Sequence, residues 1–275
     1  MKKRKNRVLA LLLALALALG LTACGGSSNS AEEQEAPASA ASDLQNVQDK
    51  GTLVVGITDF EPMDYKDENG NWIGFDADLA TAFAESLGVT VEFAEINWDN
   101  KILELDGGSI DCIWNGMTLT DEVTAAASCS NPYMRNAQVV VLPADKAEEY
   151  ADIESLADLT FAVESGSAGE EAVNELGYAT TPVTAQADAL MEVAAGTSDA
   201  AVIDLLMAYA MVGEGTSYDN LTYTFTLNEE QYGVAFRQNS DLVAALNEFF
   251  AAQYADGSLD ALAEQYGLAG SVIPQ

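Results

Sequence analysis

No histidine occurs anywhere in the 275-residue chain. Imidazole is the usual acid–base group and metal ligand near neutral pH, so a Ser-His-Asp triad and His-based metal centres are excluded. Basic residues are scarce: 11 Lys plus Arg stand against 44 Asp plus Glu. Holding phosphates requires Lys and Arg, so nucleic acid is excluded as a partner, and an anionic membrane surface is disfavoured on the same ground. Cysteine is limited to Cys24, Cys112 and Cys129. A two-cysteine metal site without histidine has no support, and no metal or cofactor is expected. Val8 to Leu21 is an apolar run dominated by Leu and Ala. It falls short of the roughly 20 residues that span a bilayer.

What is present begins with that run. Lys2, Lys3, Arg4, Lys5 and Arg7 precede it, and Leu21, Thr22, Ala23 and Cys24 close it. A basic head, a short apolar stretch and a small-residue cleavage site predict an export signal over 1–23. The Leu-Thr-Ala-Cys ending resembles the bacterial lipobox, which implies lipidation of Cys24 and anchoring outside the cytoplasm. Residues 24–43 carry mostly Gly, Ser, Ala and Glu and are expected to form a disordered tether. Removing 1–23 takes away five basic and no acidic residues, which leaves 6 − 44 = −38. Such a charge speaks for solubility rather than for any particular ligand.

From Leu44 onward strands and helices alternate. GTLVVGI at 51–57 predicts a buried strand bounded by glycine. Further strands are expected at 73–75, 89–93, 110–114, 139–142, 161–163, 200–203 and 232–236. The apolar spacing of Ala77, Leu79, Ala80, Phe83 and Leu87 predicts a helix over 76–87, started by Asp76 and closed by Gly88. Other helices are expected at 101–105, 121–128, 167–176, 188–195, 205–212, 242–256 and 259–266. This alternation implies α/β architecture with largely parallel sheets. Outside the cytoplasm Cys112 and Cys129 form either a disulfide or two free thiols; spacing does not decide which.

Several stretches together resemble the bacterial extracellular solute-binding proteins of family 3, the polar amino-acid branch. They are GTLVVG (51–56), WIGFDADL (72–79), GSIDCIWNGMTLTD (108–121), CSNPY (129–133), SLADL (155–159), VESGS (163–167), DAAVID (199–204) and YGVAFR (232–237). The resemblance implies a two-lobed clamp of the type II periplasmic-binding fold. Lobe 1 would be 44–138 plus 233–275, and lobe 2 would be 139–232, with two crossing hinge strands near Val139 and Gly233. It implies a monomer that captures a small solute, an amino acid by preference, for the permease subunits of an ABC importer, without catalysis. A dehydratase-like enzyme or a solute sensor on the same fold is the alternative.

An amino acid presents a carboxylate, an ammonium and a side chain. Gly116 and Thr118 precede the helix expected at Asp121, and Ser167 opens the next lobe's first helix. Helix beginnings offer free N–H groups and partial positive charge, which suit a carboxylate, although ordinary strand–turn–helix joints look the same. The resemblance places Asn115, Gly116, Thr118, Ser167 and Ala168 at the cleft. It gives Asp204 the ligand's ammonium, which is the favoured role; as a residue between strand and helix, Asp204 could cap the helix instead or as well. Phe60 and Trp98 match positions that sandwich the ligand side chain, with core packing as the alternative. Many relatives carry an Arg for the carboxylate where this chain has Val123. Arg135 is either a substitute from the neighbouring segment or a surface charge.

Overall fold

The computed structural model describes residues 42–275. The expected signal, Cys24 and the tether up to residue 41 lie outside the described residues. Ser42 caps α1 (Asp43–Lys50), its hydroxyl accepting from the Gln45 N–H, so Asp43 is already helical. The chain continues through β1 (Thr52–Ile57), the hairpin β2 (Tyr65–Lys66) and β3 (Trp72–Ile73), α2 (Phe75–Ser86) and β4 (Thr90–Glu95). A short turn of helix at Trp98–Asn100 leads into α3 (Lys101–Gly107), followed by β5 (Cys112–Ile113), α4 (Asp121–Ala126) and β6 (Ser128–Cys129).

The second half opens with β7 (Met134–Pro143), followed by β8 (Thr160–Glu164), α5 (Ala168–Leu176) and β9 (Ala179–Val183). Then come α6 (Gln186–Ala195), β10 (Ala200–Asp204), α7 (Leu205–Met211) and β11 (Leu221–Tyr232). The chain closes with β12 (Ala235–Phe236), α8 (Leu242–Asp256) and α9 (Ser258–Gln265).

These strands form two five-stranded sheets, ordered β4-β1-β5-β12-β6 and β11-β7-β10-β8-β9. Each sheet has a parallel part and an antiparallel part. In the first, β4, β1 and β5 are parallel while β12 runs against β5 and β6. In the second, β10, β8 and β9 are parallel while β7 runs against β10 and β11. Helices α2 and α8 pack on the first sheet, and α5, α6 and α7 on the second. The result is two α/β lobes joined where the chain crosses from β6 to β7 and from β11 to β12.

The crossing explains a misreading of the sequence. The apolar run 232–236 is not one strand: Tyr232 ends β11 in one sheet, and Ala235 begins β12 in the other. Gly233 sits between them, where a Cβ would lie 2.6 Å from the Leu119 side chain. Strand β7 likewise starts at Met134, ahead of the apolar run at 139, because β11 pairs with it from Tyr232↔Met134 onward. Strand β3 stops at Ile73 because Gly74 and Phe75 turn into α2. Helix α1, strand β9 and most of β11 lack a clean apolar period and were not legible.

The first lobe's core centres on aromatics. Trp114 and Tyr133 pack on Phe250, with ring centroids 5.6 and 5.4 Å apart, and Phe83 packs on Phe249 at 5.4 Å. Such pairs contribute about 0.5–1.5 kcal/mol each beyond area burial. Strand β12 also settles the cysteine question. It pairs with Cys112 through Phe236 on one edge and with Cys129 through Ala235 on the other. The two cysteines thus lie two strands apart, roughly 10 Å at the usual strand spacing and beyond disulfide reach. Both are free thiols, so the disulfide alternative is wrong.

Candidate functional site

A cavity of about 550 Å³ lies between the lobes. Phe60, Trp98, Asn115, Gly116 and Thr118 line it from the first lobe, and Ser167, Ala168 and Asp204 from the second. The topology thus brings all eight residues named from the sequence to one space. They do not all present free groups to it.

Two of them serve the scaffold. The Asn115 amide accepts from the Thr58 N–H and hydroxyl at 3.0 and 2.8 Å, and donates to the Thr58 carbonyl and to Asp64 at 3.0 and 2.8 Å. Every polar atom of that side chain is committed. The Gly116 N–H donates to the Asp76 carboxylate at 2.6 Å, which removes it as a donor to a ligand. Asp76 was read as a helix-start residue. It does lie in the first turn of α2, where it is also buried and accepts from the Tyr133 hydroxyl at 2.8 and 2.7 Å. Burial pushes its carboxyl up to about 6 against the pull of those donors. Gly116 adopts φ +53°, and a Cβ there would lie 2.4 Å from the Phe60 ring. Glycine is therefore required for Phe60 to reach the cavity wall.

Donors remain at the start of α5. The Ser167 hydroxyl accepts from the Glu170 N–H at 3.1 Å and caps the helix. The next N–H groups, those of Ala168 and Gly169, have no intrahelical acceptor; Gly169 is buried, and Ala168 lines the cavity, where its N–H is free to hold an anion. The Thr118 hydroxyl donates to Glu230 at 2.9 Å. Val123 lines the cavity, as expected from its register. Arg135 is exposed and donates to the Val272 carbonyl at 3.1 Å; it lines a separate hollow, so it replaces nothing here.

Asp204 is 2 % exposed and does not cap α7, which overturns the capping alternative. The Asn136 side-chain carbonyl takes the Leu206 N–H instead, at 3.2 Å. The Asp204 carboxylate accepts from the side-chain amides of Asn136, Gln138 and Gln186, the Gln138 bond being 2.9 Å. Glu230 shares two of those donors, Asn136 at 2.6 Å and Gln138 at 2.9 Å. Two carboxylates are therefore knit together by neutral amides. Among the described residues neither forms an ion pair with Lys or Arg. Burial first, then the charge of Glu230, holds Asp204 well above the usual carboxylate range. A cation delivered by a ligand would relieve both effects.

Sequence reasoning missed Glu230, Gln138, Gln186 and Asn136. They lie on β7, β11 and at the start of α6, far apart in the chain, and no local motif marks them. It also missed Lys101, whose ammonium crosses the cleft to donate to the Gly166 carbonyl at 2.7 Å and lies 5.1 Å from the Trp98 ring centroid. Phe60 is both wall and core: it packs edge-on against Tyr232 at 6.3 Å.

The pattern seen in the cleft has counterparts. Residues 53–269 match the model of the bacterial extracellular solute-binding proteins, family 3. The chain belongs to that family. Among relatives of this family 3 protein, the L-cystine-binding protein TcyJ of Escherichia coli K12 is 27% identical over 81% of this chain and 85% of its own. The arginine-binding extracellular protein ArtP of Bacillus subtilis 168 is 29% identical over 94% and 96%. The crystal structure of the ancestral amino acid-binding protein AncCDT-1, a precursor of cyclohexadienyl dehydratase, is similar with a TM-score of 0.75 and 33% identity. It covers 82% of this chain and 99% of its own. The family 3 protein therefore has the two-lobed type II fold of periplasmic amino-acid-binding proteins.

Proposed function

We propose that this protein captures a polar amino acid between its lobes and hands it to the permease subunits of an ABC importer, acting outside the cytoplasm as a monomer anchored through lipidated Cys24. Buried Asp204 carries this reading, because a desolvated carboxylate that shares its amide donors with a second acid, Glu230, and has no cationic partner among the described residues suits the ligand's α-ammonium. The free amide of Ala168 takes the ligand's carboxylate, and Phe60 and Trp98 flank its side chain. The ligand favours the closed arrangement of the two lobes because only there do both sets of groups reach it.

The test is a thermal-shift screen of the purified protein against the twenty amino acids and cystine. One or a few ligands should raise the melting temperature by mass action, with no turnover. No shift with any amino acid would overturn the amino-acid reading. Conversion of a bound compound to product would replace transport by catalysis.

A further inference from the structure

Most acidic side chains of this chain are solvated, but Glu164, at the end of β8, is 2 % exposed and lines the cavity beside Phe60 and Trp98. Its Oε1 is buried and has no hydrogen-bond partner among the described residues. A buried carboxyl with an orphaned oxygen is costly unless something occupies the facing space. The nearest cation does not serve. Lys101 is held by the Gly166 carbonyl at 2.7 Å and the Trp98 carbonyl at 3.4 Å, and forms no ion pair with Glu164. The Thr58 hydroxyl, Lys101 and Asp188 are the polar and charged groups that face Glu164. Lys101 favours its ionised form and Asp188 opposes it, while the Thr58 hydroxyl donates its proton to Asn115.

We propose that Glu164 reads the ligand's side chain by pairing with a cationic end group, which makes basic amino acids the ligand class of this cleft. The proposal rests on the amino-acid reading above and adds a second anionic contact to the one at Asp204. The Trp98 face already carries the Lys101 ammonium, but Phe60 in the same cavity fits this ligand: a guanidinium or ammonium on an apolar stem stacks on an aromatic face while its tip meets a carboxylate. Neutral ligands leave Glu164 protonated. Burial pushes its carboxyl up to about 8, so a basic ligand must release that proton near neutral pH.

Calorimetric titration with matched pairs tests this: arginine against citrulline, and lysine against norleucine. The members of each pair share the α-groups and the approximate length, so contributions from Asp204 and Glu230 cancel in the comparison. At pH 8.5 at least one basic member should bind roughly 10-fold or more tighter than its neutral partner, as expected for one charge-assisted contact. Its advantage should fall as pH drops from 8 towards 6, up to about tenfold per unit. Glu164→Gln should bring both the advantage and its pH slope close to zero, with the neutral member's affinity changed less than about 3-fold. A preference for neutral amino acids, or a basic preference that Glu164→Gln leaves intact, would overturn the role of Glu164 while leaving the amino-acid reading standing. Binding of no amino acid would overturn both. Should Glu164→Gln fail to fold, the pH slope of the arginine–citrulline ratio in the unaltered protein decides alone, and a flat ratio overturns the proposal.

Discussion

Replacing Asp204 by Asn keeps the shape of the side chain and removes its charge. In the free protein the carboxylate is surrounded by three amide donors and a second acid, Glu230, so its proton is retained well above the ordinary range. The sign of the linked effect follows. Between the unfolded value near 4 and the raised folded value, the folded state binds more protons than the unfolded one. Stability of the ligand-free protein therefore falls as pH rises through that window, by up to ~1.4 kcal/mol per unit from this group. Asp204→Asn should flatten that slope in denaturant melts. It should also weaken the ligand. A hydrogen bond to a charged group contributes about 1.5–3 kcal/mol, so affinity should drop roughly 10- to 150-fold, read by calorimetry with the ligand found in the screen. The exposed acids supply no comparable loss, because water screens them. Affinity within threefold of the parent would show that Asp204 does not hold the ammonium. An unchanged pH slope would show that its carboxyl is not held protonated in the free protein.

Two further expectations concern the parts that place the site. Gly166 adopts φ +74°, and a Cβ there would lie 2.7 Å from the Asp99 Cα of the opposite lobe. Gly166→Ala should therefore hinder closure and weaken the ligand by on the order of tenfold or more, in addition to the roughly 1–2 kcal/mol of ligand-free stability lost to the left-handed backbone; unchanged affinity would mean that the two segments need not meet. Asp76 has its carboxyl pushed up to about 6 by burial, so its contribution lowers ligand-free stability as pH rises from about 4 to about 6, by up to ~3 kcal/mol. Asp76→Asn should remove that part of the pH dependence in chemical denaturation, and an identical profile in both proteins would refute the assignment.

Much of the architecture was legible because the two parallel αβ series carry strong local signals. Apolar strands such as Leu53–Ile57 and Ala200–Ile203, and helices closed by Gly177 and Gly196, mark themselves by period and punctuation. The family motifs added what periodicity lacks: their order brought eight cleft-lining residues into view. Where reasoning failed, partners were distant in the chain. Nothing near Asn115 or Gly116 reveals that Thr58, Asp64 and Asp76 occupy their polar groups. Nothing near Asp204 reveals that Asn136, Gln138 and Gln186 turn its carboxylate away from a capping role.

The sequence by itself determined the α/β class, the acidic character, the lack of imidazole chemistry and the order of the strands and helices. Each of these depends on composition or on neighbours a few residues apart. Only the tertiary structure decided that 232–236 divides between two sheets, that Cys112 and Cys129 stand on either side of β12, that Glu164 lines the cleft, and that Glu230 shares the amide donors of Asp204. Among 44 acids the sequence offers no means of telling a solvated carboxylate from a buried one. That difference is made by desolvation, which exists only once the lobes have packed.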